Sequence, residues 1–318
     1  MIALRTLCPL LVVAGLALIP AFTSANTTLN FLVFALIVAL SAQGWNILAG
    51  YGGQFSFGHA AFFGLGAYGT ALAQARFGIN PWVAFAAGIG LAALAGTVIG
   101  YLSFRAGLRG SYFTLVTLAF AEVFRILFNA ASFTGGAAGV LVKLDVRPEN
   151  FQFASRSVFY WVVLGIVALV LLLTMRLERS RFGAWLIAIR ENEAAAKALG
   201  VDVLMVKLQA IALSAAITGA AGGLYVQYFL YLDANIGFGP WISVETLMAA
   251  IIGGAGTALG PVLGALALHG LGQLTKGIAG GTPGIDLVLF GALLILAVAF
   301  MRDGIIGRLR RLLVWGRR

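Results

Sequence analysis

Apolar runs of about twenty residues recur along this chain, and that recurrence restricts it to a helical membrane fold. About 20 apolar residues suffice to cross a bilayer as a helix. Ten segments are expected: Leu7–Thr23, Thr28–Gly50, Phe55–Ala75, Pro81–Phe104, Ser111–Ala130, Val158–Met175, Leu208–Leu230, Trp241–Gly253, Pro261–Leu274 and Ile285–Met301. A spanning β-barrel would need alternating segments of about ten residues, and these are absent. Only 10% of the 318 residues are charged, against roughly 25% in soluble domains. The chain reads as an all-α polytopic membrane protein, a single transmembrane domain over 1–318 with about 8–10 transmembrane helices. Two segments, Trp241–Gly253 and Pro261–Leu274, are short for full spans. They are expected to be tilted, broken or re-entrant, as Gly-rich backbone is where it is buried in protein or lines a cavity.

The formal net charge is +10. With the N-terminus inside and every segment crossing, the inside loops hold 15 Lys and Arg and the outside loops 5. This satisfies the positive-inside rule. The charge therefore reports topology rather than nucleic-acid binding, which needs a soluble basic surface. Both termini and residues 176–207 fall on the cytoplasmic side, and the loop 131–157 on the other. That loop is too short for a domain. It is either a docking surface for an outside partner or a long connection. Arg5 before the first apolar run and Thr23-Ser24-Ala25 after it also fit a cleavable signal peptide, so the fate of the first segment stays open. The single Cys8 excludes disulfide frameworks and Cys-based metal sites.

Residues Arg176–Lys207 hold 10 of the 32 Lys, Arg, Asp and Glu residues. Asn192 is placed to cap a helix start through its side-chain oxygen. Glu193 suits the first turn, and Glu193 and Lys197 are four apart in the favourable order. Gly200 sits where a left-handed residue would end the helix. A short helix over about Glu193–Leu199 is expected, with Ala194, Ala195, Ala196 and Ala198 as a small, smooth middle. Such a surface suits entry into a partner's groove, and equally a stable loop helix with no partner.

The stretch Ser180–Ala210 (SRFGAWLIAIRENEAAAKALGVDVLMVKLQA) resembles the coupling segment of ABC importer permeases of the branched-chain amino acid family. Three other stretches agree: GYGGQFSFGHAAFFGLGAY (Gly50–Tyr68), TLAFAEVFRILFN (Thr117–Asn129) and SVETLMAAIIGGAGTALGPVLGA (Ser243–Ala265). The resemblance runs from about residue 28 to the end and favours the M-type permease subunit over its H-type partner. The chain departs from the family pattern at Thr134–Val140 and Phe300–Gly307. The resemblance implies a bacterial inner-membrane subunit without a cofactor of its own, driven by ATP through two cytoplasmic ATPase subunits. It also implies a second homologous permease and a periplasmic substrate-binding protein. Arg190, Asn192, Glu193, Ala194, Ala195, Lys197 and Gly200 then form the ATPase-coupling element. The implied substrates are branched-chain or related amino acids, with urea or short amides as alternatives in the same family.

No Gly-Lys dipeptide occurs, so a Walker A phosphate loop is excluded. No nucleophile–base pair stands out, and neither His59 nor His269 has neighbours spaced for a metal. Six residues are candidates for a substrate path: Gln54, Ser56 and His59 in a Gly-rich segment, Glu122 and Arg125 three apart in one span, and Glu245 at the opening of another. For Glu122 and Arg125 mutual neutralisation or snorkelling is the rival reading, for His59 packing, and for Glu245 capping near the outer face. These same groups would serve as a relay if the protein were an ion-coupled secondary transporter. Gly256, Gly260 and Gly264 form overlapping GxxxG steps expected to pack helices, within this chain or against a second subunit.

Overall fold

The computed structural model describes residues 2–22, 25–278 and 304–315, with positions 285, 288, 291, 292 and 295 between them. The expected segment Ile285–Met301 and the Thr23-Ser24 cleavage signal lie outside the described residues, apart from those isolated positions.

Helices make up most of the described chain. The first six helices are α1 (Ile2–Phe22), α2 (Asn26–Trp45), α3 (His59–Phe77), α4 (Pro81–Arg105), α5 (Ser111–Ala130) and α6 (Arg156–Glu178). Two short helices follow, α7 (Arg181–Glu191) and α8 (Glu193–Ala198), and then the long α9 (Val203–Phe229). The short α10 (Ala234–Gly237) leads into α11 (Pro240–Gly253), which is followed by α12 (Gly260–Ile278) and α13 (Gly304–Trp315). Six stretches are long and apolar enough to cross a membrane: Asn26–Tyr51, Pro81–Arg105, Ser111–Ala130, Arg156–Leu177, Val203–Phe229 and Ala234–Gly253.

Hydrogen bonds sort the helix ends into two groups. At one end, Arg190 bonds the Gly50 carbonyl, Glu178 bonds Tyr51, and Asn46 bonds the 256–257 backbone. At the opposite end, Asn80 and Trp82 bond the carbonyls of Glu149 and Pro148. The 19-residue α3 joins the two groups, so it crosses as well.

The bundle centres on α2. In the most apolar part of Asn26–Tyr51, 89% of residues are buried, against 17% for α5 at the periphery. The packing of α3, α4 and α9 explains the glycine content. A Cβ on Gly66 would collide with the Gly219 backbone, one on Gly88 with the Gly66 carbonyl, and one on Gly222 with the Phe63 carbonyl. Lipid tails are as apolar as leucine, so close backbone approach rather than water exclusion drives this association.

Segments 241–253 and 261–274 form an antiparallel hairpin, α11 and α12. The 14 residues of α11 rise about 21 Å, short of a ~30 Å hydrocarbon core. α10 and the Phe238-Gly239 break supply the remainder of the span. The loop 131–157 is folded onto the bundle. Val140 and Leu141 pair antiparallel with Leu232 and Tyr231, and Trp82 stacks on Phe151 at 3.9 Å.

Candidate functional site

α7, α8 and the start of α9 form a capped unit at one end of the bundle. Ser180 caps α7, its hydroxyl accepting from the Gly183 N–H at 3.1 Å. Leu186 and Ile189 bury the inner face of α7. Asn192 is extended, at φ −156° and ψ 102°, which turns the chain sharply between α7 and α8. Its Oδ1 accepts from the Ala195 N–H at 3.0 Å. Gly200, at φ +85°, ends the unit in a conformation that costs other residues about 1–2 kcal/mol. Asp202 then caps α9 through the Met205 N–H at 3.0 Å. Asn192 as cap and Gly200 as terminator fall where the sequence places them.

α8 is seated by one residue and presents the others. Ala196 is buried, while Ala194, Ala195, Lys197 and Ala198 are exposed. Leu199 is 86% exposed, although it lies outside every membrane-length helix. Sequence reasoning stopped at the alanines and did not weigh this side chain.

The expected Glu193–Lys197 pair is replaced by tertiary contacts. The Glu193 carboxylate accepts from Lys207 Nζ at 2.9 Å and pairs with Arg109 Nη2 at 3.1 Å. Lys207, on the first turns of α9, also stands 5.4 Å over the Phe104 ring. α8 is thereby tied to α9 and to the α4–α5 connection. Arg109 and Lys207 lie 84 and 14 residues away, and no local pattern pointed to them. Arg190 turns inward, its Nη1 donating to the Gly50 carbonyl at 2.8 Å, while Nε and Nη2 bond Glu191.

The six candidate path residues separate into four places. Glu122 and Arg125 form a two-pronged ion pair on α5, at 2.9 and 2.6 Å. Arg125 Nη1 reaches Asn235 Oδ1 on α10 at 2.7 Å. The Glu122 side chain is 46% exposed, on a helix that also exposes Leu115, Leu118, Val123 and Ile126. Ser56 and His59 are packed in the interior instead: His59 Nε2 lies 2.9 Å from Ser214 Oγ, and Ser56 Oγ accepts from the Gly58 N–H. Gln54 bonds the neighbouring Gly52 carbonyl in the loop at the α8 end. Glu245 lies within α11 rather than capping it, 3.5 Å from His269 Nε2 on α12.

The glycine steps also divide. Gly256 is not helical but lies in the loop between α11 and α12 at φ +75°. Gly260 and Gly264 do pack helices, and their partner is this chain: a Cβ on either would overlap the Gly254 or Ala249 carbonyl oxygen of α11 and its end. Among the described residues no group of three His, Cys, Asp or Glu is arranged to hold a metal ion.

The fold and this surface define a multi-pass helical membrane protein that carries a short, capped helix between two of its membrane-length helices. The chain belongs to the branched-chain amino acid transport system permease family, whose model matches residues 27–298. It is 28% identical over 309 residues to the high-affinity branched-chain amino acid transport system permease protein LivM of Escherichia coli K12, covering 90% of this chain and 71% of that one. It is 30% identical over 318 residues to the LivM-type permease protein of Methanocaldococcus jannaschii, covering 92% and 86%. Similarity to the LivH permease protein of Escherichia coli K12 is 28% over 287 residues, covering 85% and 91%. Members of this family are transport subunits.

Proposed function

We propose that this chain is the translocating subunit of an ATP-driven importer of branched-chain or related amino acids in a bacterial inner membrane. It pairs with a second, homologous permease and is driven by two separate ATPase subunits bound at the α8 end, on the cytoplasmic side. The observation that carries this reading is α8 itself: a helix capped at both ends, tied to the bundle by Glu193, with a smooth alanine face and Leu199 turned outward. A side chain that apolar, exposed and rigidly held suits a groove on a soluble partner.

The α5 face supports a route for a zwitterion. An ion pair exposed to lipid is costly, and intramembrane charges face a bundle interior or a water-filled cavity. In the proposed assembly the second permease covers α5, and Glu122, Arg125 and Asn235 line a polar passage between the subunits. At the opposite end, the folded loop 131–157 exposes Leu141 and Leu144, at 74% and 68%, as a landing surface for a periplasmic binding protein that delivers the substrate.

The test is co-purification with candidate ATPases, followed by uptake into proteoliposomes. Leu199→Glu is expected to lose the ATPases while inserting normally. Uptake of labelled leucine is expected to be competed by isoleucine and valine rather than by urea or short amides. ATPases that remain bound to the Leu199→Glu variant would refute the docking surface. Leucine uptake driven by an ion gradient in their absence would refute ATP coupling.

A further inference from the structure

Beneath α7, the helix that leads into α8, lies a buried polar junction. α2 leaves α geometry at its end and continues as a π turn, Asn46–Tyr51, all six of whose residues are buried. π turns are rare and are found frequently at functional sites. This one is gripped from two sides.

On one side stands the loop of the α11–α12 hairpin, residues 254–259. The Asn46 side chain spans two consecutive residues of it: Oδ1 accepts from the Gly256 N–H at 2.7 Å, and Nδ2 donates to the Thr257 carbonyl at 3.0 Å. Gln43 Nε2 donates to the Ala258 carbonyl at 2.6 Å. Glu178, at the end of α6, accepts from the Ala258 N–H at 3.1 Å and from the Tyr51 hydroxyl at 2.5 Å. Gly254 and Gly256 sit at φ +120° and +75°, and Thr257 Oγ1 braces the loop from within, donating to the Gly254 carbonyl at 2.7 Å and accepting from the Gly260 N–H at 3.2 Å. The side chains of Asn46, Gln43 and Glu178 fasten this braced loop to α2 and α6. On the other side stands Arg190, two residues before the α8 cap, bonded to the Gly50 carbonyl within the π turn.

We infer that Asn46 is a positioning residue for transport: its side-chain amide makes the π turn and the 254–259 loop one body, so that a displacement of α8 carried by Arg190 reaches the α11–α12 hairpin. The inference rests on the reading of α8 as the ATPase-docking element. The Asn46 amide is fully buried. Stranding a buried polar group costs more than the bond itself contributes, so the two elements move together rather than slip. Every link in the chain α8, Arg190, Gly50, Asn46, Gly256 is a covalent connection or a bond of 3.0 Å or less.

The test uses the full complex with its ATPases and partner permease in proteoliposomes, reading leucine moved per ATP hydrolysed. Asn46→Ala is expected to assemble and to hydrolyse ATP within two-fold of the parent, while transport per ATP falls at least ten-fold. Asn46→Asp keeps the size of the side chain and its acceptor for Gly256 but loses the donor to Thr257. It is expected to fall several-fold, and it keeps the test decisive should Asn46→Ala fail to assemble. Normal transport per ATP in the assembled variants overturns the inference. So does a parallel loss of hydrolysis and transport, which would mark a merely structural role. Failure of the parent chain to bind ATPases would overturn the docking reading, and this inference with it.

Discussion

Glu193 and Lys207 meet at 2.9 Å, and the Lys207 side chain is only 5% exposed while that of Glu193 is 24% exposed. The ammonium is thus held in a dry position by a carboxylate that still touches water. Breaking a buried pair leaves an uncompensated charge and costs about 3–5 kcal/mol when both groups are sealed. With Glu193 partly solvated, Glu193→Gln is expected to cost about 1–3 kcal/mol, discounted for that screening. Lys207→Met should recover part of the loss, because it removes the stranded charge. Melting of the purified protein in detergent, run as a double-mutant cycle, measures the coupling. Additive effects would show that the pair contributes nothing.

Gly200→Trp changes two things at once. It places a side chain at φ +85° and crowds the surface beside Leu199. Backbone strain alone, read from Gly200→Ala, should cost about 1 kcal/mol. ATPase binding by Gly200→Trp should fall at least ten-fold, as it should for Glu193→Lys. Pull-down at matched membrane levels reads the difference, and full binding by both variants would contradict docking at α8.

Glu122→Gln leaves Arg125 without its ion partner in a span, and Arg125→Gln does the same to Glu122. Each single change is expected to reduce uptake about ten-fold or more. The exchanged pair, Glu122→Arg with Arg125→Glu, keeps the local charge balance and should retain more uptake than either. Uptake assays at equal surface abundance decide. Equal activity in all three would make the pair a passive anchor.

Gly264→Leu would push a side chain into the Ala249 carbonyl of α11. Overpacking a tight contact costs about 1–3 kcal/mol, occasionally more, and a backbone neighbour has no flexible end to move aside. The hairpin should splay, seen as loss of a monodisperse peak in detergent. Gly165→Leu on α6, where nothing stands near a Cβ, should be tolerated and serves as the control.

Much of this architecture was legible from the chain. Hydropathy runs located the spans, because in lipid a backbone must satisfy its own hydrogen bonds and length is fixed by the bilayer. Asn192 and Gly200 announced α8, because capping is local chemistry. Partners separated by long stretches of sequence were not legible. Glu193 turned from Lys197 to Lys207 and Arg109, and Asn46 found the 256–257 backbone across 210 residues, contacts that depend on packing rather than pattern. His59 allowed both a path and a packing reading, and its partner Ser214, 155 residues away, was not visible in the local pattern. Gly256 had helical spacing with Gly260, yet its positive φ puts it in a turn. α13 escaped notice among the C-terminal arginines, although GIIGRLRRLLVW repeats apolar residues at helical intervals.

The first helix stands apart from these interactions. Its principal neighbour is α6, where the Tyr160 hydroxyl and the Trp161 indole donate to the carbonyls of Leu16 and Ala17, and the family match begins only at residue 27. An outrigger lashed along one flank has an outer face, at Leu10 and Leu11, that can carry a reporter while Leu16 and Ala17 keep their hold on the hull. This terminus is therefore the place to hang a fluorophore when the motions of the opposite flank are to be watched.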